Sequence, residues 1–150
     1  MKKVLITALF AGVVGSAAAT EFGITAARDF AGTASRNSTG VSLGQQFGRV
    51  DVTAGFERFT KGANDQTRYS LTGSYPVAKF GRVSVAAQAG AAFLDNKTTA
   101  DGYARVAGVG AVLPVAKHLS LGVDYGRQFG QYRVRTSTGN TVGATLKYSF

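Results

Sequence analysis

The chain has 150 residues, which sets one domain as the expectation, and it has no Cys, so no disulfide framework stabilises it. Lys and Arg number 17 against 8 Asp and Glu, a net charge of +9. That balance points to a polyanionic partner, either nucleic acid or a phosphate-rich membrane surface.

Residues 1–19 read as a secretory signal peptide. Lys2 and Lys3 give the positive start, Val4 to Val14 the apolar run, and Gly15-Ser16-Ala17-Ala18-Ala19 the small residues of a cleavage site. The run is short of the ~20 apolar residues of a membrane helix. Removal would leave Thr20–Phe150 as the mature domain, with fifteen Lys and Arg against eight acids, about +7. Export favours the membrane surface over nucleic acid as the partner.

No helical period survives beyond Ala19. Alternation with period two recurs instead, in eight segments: Glu21–Phe30, Gly40–Gly48, Val50–Phe59, Arg68–Val77, Arg82–Leu94, Gly102–Val115, Leu119–Phe129 and Thr141–Phe150. Most approach the ~9–11 residues a tilted strand needs to cross a bilayer. The connections alternate in length. Ala31–Thr39, Thr60–Thr67, Asp95–Asp101 and Gly130–Asn140 are longer and polar, while those at Arg49, Ala78–Gly81 and Ala116–His118 are short. This predicts an all-β, eight-stranded antiparallel up-and-down transmembrane barrel, with long loops outside and tight turns and both termini in the periplasm. An internal echo, Tyr75-Pro76-Val77-Ala78-Lys79-Phe80 and Leu113-Pro114-Val115-Ala116-Lys117-His118, falls at two of the tight turns.

The faces divide cleanly in several strands. Val142, Ala144, Leu146, Tyr148 and Phe150 share one side of the last segment, and Val50, Val52, Ala54 and Phe56 one side of the third. The opposite sides hold Gly, Ser and Thr with isolated acids, which suits a crowded lumen better than a solvated surface. A soluble barrel would reverse the faces and bear a Lys/Glu coat. Aromatics gather at strand ends: Phe22, Phe47, Tyr75, Tyr148 and Phe150 low, Phe30, Tyr69, Phe93, Tyr103 and Phe129 high, as girdles do. In segments five and six Ala and Gly occupy both faces and the alternation is weak.

Parity places two charged sets. Glu21, Lys147, Asp51 and Arg82 are expected inside near the periplasmic end, as a lumen plug in which Glu21 pairs with Lys147; breaking a buried pair costs roughly 3–5 kcal/mol. Arg28, Arg58, Arg105 and Arg127 are expected on the lipid side in the outer part of their strands. Charge facing lipid costs ~2–4 kcal/mol at the midplane but only ~0–1 near the interface, so these arginines fit a lipopolysaccharide contact belt.

The export signal, the eight segments and the ending Leu146-Lys147-Tyr148-Ser149-Phe150 resemble the small outer-membrane barrels of the OmpA/OmpX and opacity-protein kind over residues 20–150. The resemblance implies a Gram-negative outer-membrane location and an assembly signal at Leu146, Tyr148 and Phe150, read by the barrel-assembly machinery. As a departure from the family, no added periplasmic domain is expected after the barrel, so cell-wall anchoring is not implied, and the outer loops are short for a typical adhesin.

Catalytic chemistry finds little support. His118 is the one His, in a turn, and the acids form no paired motif. Without Cys or a His cluster, a transition-metal site is not expected, nor is any cofactor. The sequence therefore reads as a non-enzymatic monomer that contacts outer-membrane lipid and lipopolysaccharide and presents loops to a surface ligand it does not identify. The alternative is a narrow small-solute channel, and a third reading is a secreted soluble barrel.

Overall fold

The computed structural model describes residues 20–31, 34–60, 66–96, 101–131 and 139–150. The expected export signal at 1–19 and much of the three later outer loops lie outside the described residues.

Eight strands follow one another in chain order: β1 (Thr20–Ala31), β2 (Ala34–Phe47), β3 (Val50–Thr60), β4 (Gln66–Phe80), β5 (Val83–Asn96), β6 (Gly102–Pro114), β7 (Leu119–Gln131) and β8 (Gly139–Ser149). Each pairs antiparallel with its neighbour, and β8 returns to β1, so the sheet closes into a barrel. Closure leaves no edge, and through the body of the barrel each strand is paired on both sides, as a hydrocarbon environment would demand.

Two short turns have a glycine in the left-handed region, Gly48 at φ 62° and Gly81 at φ 59°. Each opens a two-residue connection, where a positive φ matches the twist of the flanking strands and a side chain would be strained. The β6–β7 turn closes differently, with Val115 N and Ala116 N both donating to Leu119 O at 2.9 and 3.0 Å.

Most strand boundaries shift by a residue or two from the sequence reading, and three of the differences matter. The polar run Ser35–Thr39, expected as loop, is strand, paired with Phe30–Ala26 on one side and, from Asn37, with β3 on the other. Strand length here is set by continued backbone pairing, not by hydrophobicity. Secondly, β4 does not stop at Val77. The register slips between Pro76 and Ala78, a bulge that leaves out Val77 just after the proline, which has no N–H to give the ladder, and the strand then runs on to Phe80. Thirdly, β5 begins at Val83, so Arg82 belongs to the turn.

The molecule is polar inside and apolar outside. Arg68, Asp29, Gln128, Ser38, Thr141 and Thr145 are buried, while Ile24, Val41, Leu121, Val123, Tyr125 and Leu146 are exposed. In β5 and β6, where sequence alternation was weak, the pairing decides. Ala87, Ala89 and Ala91 face out with Tyr103, Arg105, Ala107 and Val109, and Leu94 and Ala104 turn in, forming a small apolar contact at the upper end of the lumen.

The register also fixes height. Thr20 lies opposite Gln45, and the same rung runs through Val52, Gly73, Ala89, Ala107 and Arg127 to Asn140. Asn140 lies opposite Phe30, so one circuit from residue 20 returns at residue 30, a stagger of ten residues. The rung climbs a little more than one residue per strand, which is the shear that tilted strands require.

Candidate functional site

With that stagger the four outward arginines can be placed against one another. Arg28 is eight residues above Thr20 on β1. Arg58 is six above Val52, two strands round; Arg105 is two above Ala107, five strands round; Arg127 lies on the rung itself, six strands round. Adding the climb of the rung brings all four to one level within about one residue, roughly 3 Å. All four side chains are exposed on the outer face. Arg28 donates from Nη2 to Ser35 Oγ at 2.9 Å, and its guanidinium stands 5.5 Å from the Phe30 ring centre. Arg127 stands 5.4 Å from the Phe129 ring. These ring contacts turn the guanidinium heads toward the loop end of their strands while the stems lie along the apolar wall.

The arginines occupy β6, β7, β1 and β3. The remaining arc is aromatic: Phe56, Tyr69, Phe93 and Tyr103 form a continuous ribbon across β3 to β6, with successive ring centres 5.4, 6.4 and 5.2 Å apart. Arginines and rings thus share one collar over six of the eight strands, with β2 and β8 contributing neither. It stands roughly 20 Å above the lower aromatic rim, close to the ~25 Å apolar band of outer-membrane barrels.

The lumen holds two charged tiers. In the lower one Lys147 Nζ lies 3.4 Å from Glu21 Oε2, and Ser149 Oγ donates to Glu21 Oε1 at 3.3 Å. Asp51 faces the lumen at the same level. Arg82, expected in this tier, is an exposed turn residue beyond the last β4–β5 pair, Phe80 and Val83, and forms no lumen pair with Asp51. The Glu21 and Lys147 side chains are 38% and 24% exposed, flanking a small recess lined also by Gly23, Ser42, Gly44 and Thr53. Water reaches this pair, so it is worth less than a closed one. A double-mutant cycle with Glu21→Gln and Lys147→Met is expected to show coupling of about 0.5–1 kcal/mol in detergent unfolding. No measurable coupling would mean that the contact contributes nothing.

The upper tier is the one sequence reading missed. Arg68 is 7% exposed and donates from Nη2 to Glu57 Oε2 and from Nη1 to Gln128 Oε1 at 3.3 Å, with Asp29 Oδ1 3.6 Å away. Ser38 Oγ donates to Glu57 at 3.0 Å, and Thr141 donates to Asp29. The Phe59 ring lies 5.3 Å from the Arg68 guanidinium and 5.2 Å from that of Arg36, which in turn donates to Gln66 Oε1 at 2.9 Å. Arg68 neutralises part of the acidic charge here and cross-links β1, β3, β4 and β7. A signal for half of it existed, since Glu57 and Arg68 share inward parity and face each other across the β3–β4 hairpin. Asp29 and Gln128 come from strands remote in sequence, so only barrel closure brings them in. Between the tiers Asp124 lies opposite Gly110 and Gly143, and a side chain at 143 would meet its carboxylate at 2.7 Å.

His118 is tied to the chain end. Its backbone O accepts from Ser149 N at 2.9 Å, its Nδ1 lies 2.9 Å from Ser149 O, and its ring stacks on Tyr148 at 5.9 Å. Tyr148 meets Phe150 edge-on at 5.1 Å. Among the described residues no three His, Cys, Asp or Glu side chains gather as a metal centre would require.

No protein-family model matches the chain, and no curated protein matches it either. Solved structures do. Neisserial surface protein A aligns at a TM-score of 0.68 and 13% identity, over 88% of this chain and 96% of that one. Ail, the attachment invasion locus protein of Yersinia pestis, aligns at 0.56 and 13%, over 88% and 97%. The outer membrane enzyme PagL aligns at 0.54 and 15%, over 84% and 98%. The closed antiparallel barrel described above is thus similar in fold, along most of its length, to small eight-stranded outer-membrane barrels.

Proposed function

We propose that this chain is a non-enzymatic outer-membrane protein of Gram-negative type, a monomeric barrel that presents its loops outside and holds lipopolysaccharide phosphates through Arg28, Arg58, Arg105 and Arg127. The observation that carries the reading is the single height of these four arginines on a closed barrel whose wall below them is apolar. A guanidinium facing lipid is tolerable only at headgroup depth, and its planar fork matches two phosphate oxygens at once. The outer leaflet supplies phosphate at that depth.

The enzyme PagL shares the fold, so fold alone leaves catalysis open. What weighs against it is the lone His118, which faces the Ser149 carbonyl and carries no carboxylate partner among the described residues. The Arg68 contacts bridge the upper lumen from β3 to β7, which weighs against a small-solute channel. Insertion would follow the usual route, the assembly machinery reading Leu146, Tyr148 and Phe150, whose side chains share the outer face.

The test replaces all four arginines with Gln. The variant is expected to unfold at a lower temperature than the parent in lipopolysaccharide-containing bilayers and at nearly the parent temperature in plain phospholipid. Equal losses in both would remove the lipopolysaccharide contact and leave four ordinary interface charges.

A further inference from the structure

The end of the barrel opposite the arginine collar has its own pattern. Its three tight turns are all basic: Arg49 lies between β2 and β3, Lys79 and Arg82 frame the β4–β5 turn, and Lys117 lies between β6 and β7. No Asp or Glu occurs in these turns. The nearest carboxylates, Glu21 and Asp51, occupy lumen positions, and Glu21 is held by Lys147. All four cations are exposed, and none forms an ion pair among the described residues.

Large apolar side chains stand between them. Phe47, Phe80 and Phe150 are 54, 69 and 75% exposed, and the β4–β5 hairpin extends past the last β3–β4 pair at Ser74, with Val77 and Phe80 exposed on it. Rings that continue the lipid-facing wall and end beside cations fit a surface that is apolar on one side and anionic on the other. A soluble polyanion would use the cations and leave the rings in water. The two ends also differ in chemistry. The collar uses Arg alone, whereas two of the four rim cations are Lys, compact point charges that suit a single phosphate diester.

We propose that this rim binds the headgroups of anionic phospholipids in the leaflet facing the periplasm, so that the barrel is fixed in depth by phosphate at both surfaces. The inference rests on the membrane-spanning reading above. Each basic residue beside an anionic lipid surface is worth about fivefold in lipid preference.

The probe is Trp, which the chain lacks, placed at Tyr75 near the rim. Tyr75→Trp barrels reconstituted with phosphatidylcholine brominated in its acyl chains are compared with barrels in brominated phosphatidylglycerol. The phosphatidylglycerol should quench with about 25-fold higher relative association, the combined effect of two of the four cations. Replacing Arg49, Lys79, Arg82 and Lys117 with Gln should bring the ratio near one, while Arg49→Lys with Arg82→Lys should keep it. Tyr103→Trp, at the other girdle, should be insensitive to the rim substitutions. Heat-modifiable migration confirms that each variant is folded. A ratio unchanged by the four Gln substitutions overturns the proposal, as does displacement of the quenching lipid by free glycerol phosphate, which would make the headgroup alone the ligand. Quenching by neither lipid would instead overturn the membrane-spanning reading itself.

Discussion

Replacing Arg68 with Met should cost the folded barrel about 3–5 kcal/mol, more than any other single side-chain truncation in the lumen. Met keeps much of the length and packing against Phe59 but removes the charge. Glu57 then keeps Ser38 as its donor and Asp29 keeps Thr141, yet both acids lose the cation that contacts them, since Arg36, the other cation of the tier, is held by Gln66. The cost is that of stranded charge rather than of lost packing. Urea unfolding in detergent checks it. Pairing Arg68→Met with Glu57→Gln should recover a large part of the loss, because the second change removes one of the stranded charges, and coupling of about 2 kcal/mol is expected for contacting groups in one network. Independent, additive losses would show that the Arg68–Glu57 contact is incidental. The Glu21–Lys147 pair, open to water, should respond several-fold less, so the two tiers act as internal controls for one another.

That contrast inverts the expectation from sequence, and the reason is physical. Alternation shows on which side of the wall a residue lies, because a one-residue slip would move every apolar side chain inward. It therefore identified the outward side of Val50, Val52 and Phe56, with Ala54 sharing their parity but covered to 2% exposure, as well as the lumen position of Glu21 and Lys147 and the outward parity of all four collar arginines. Depth along the axis is another matter, since it depends on the stagger of the closed barrel. Only the pairing of Asn140 with Phe30 brings Arg28 and Arg127 to one level, and only closure sets Asp29 beside Arg68. The lower tier was legible because β1 and β8 must adjoin in any closed up-and-down barrel. Arg82 was misplaced for a local reason: the connection expected at Ala78–Gly81 is a two-residue turn at Gly81–Arg82, because β4 runs on past the bulge between Pro76 and Ala78, and the turn therefore ends one residue later and takes Arg82 out of β5. The polar start of β2 was illegible because nothing in Ser35–Thr39 alternates in hydrophobicity. These residues stand at the loop end of the barrel, where the ladder persists without an apolar demand.

Deleting Phe150 should sharply lower the amount of assembled barrel in cells while barely changing the stability of barrels that do form. The two effects separate because of where the residue stands. Phe150 follows the last residue of β8, is 75% exposed, and its ring meets that of Tyr148 edge-on at 5.1 Å, its one ring contact among the described residues. An aromatic pair of this kind contributes about 0.5–1.5 kcal/mol at most. The closing ladder does not need it, since Ser149 N still donates to His118 O and Tyr148 still lies opposite Phe22 and Leu119. Refolding of the purified deletion variant in detergent should therefore match the parent within about 1 kcal/mol. In cells the expected outcome is different: if the chain end is read before closure, its loss leaves unfolded protein in the periplasm and at least a several-fold drop in heat-modifiable barrel. Fractionation followed by unheated gel migration measures both species. Phe150→Tyr should retain most of the assembly, because an aromatic ring remains at the end. Equal levels of parent and deletion barrels at ordinary expression would confine Phe150 to its place on the lower rim, beside Tyr148 and the basic turns.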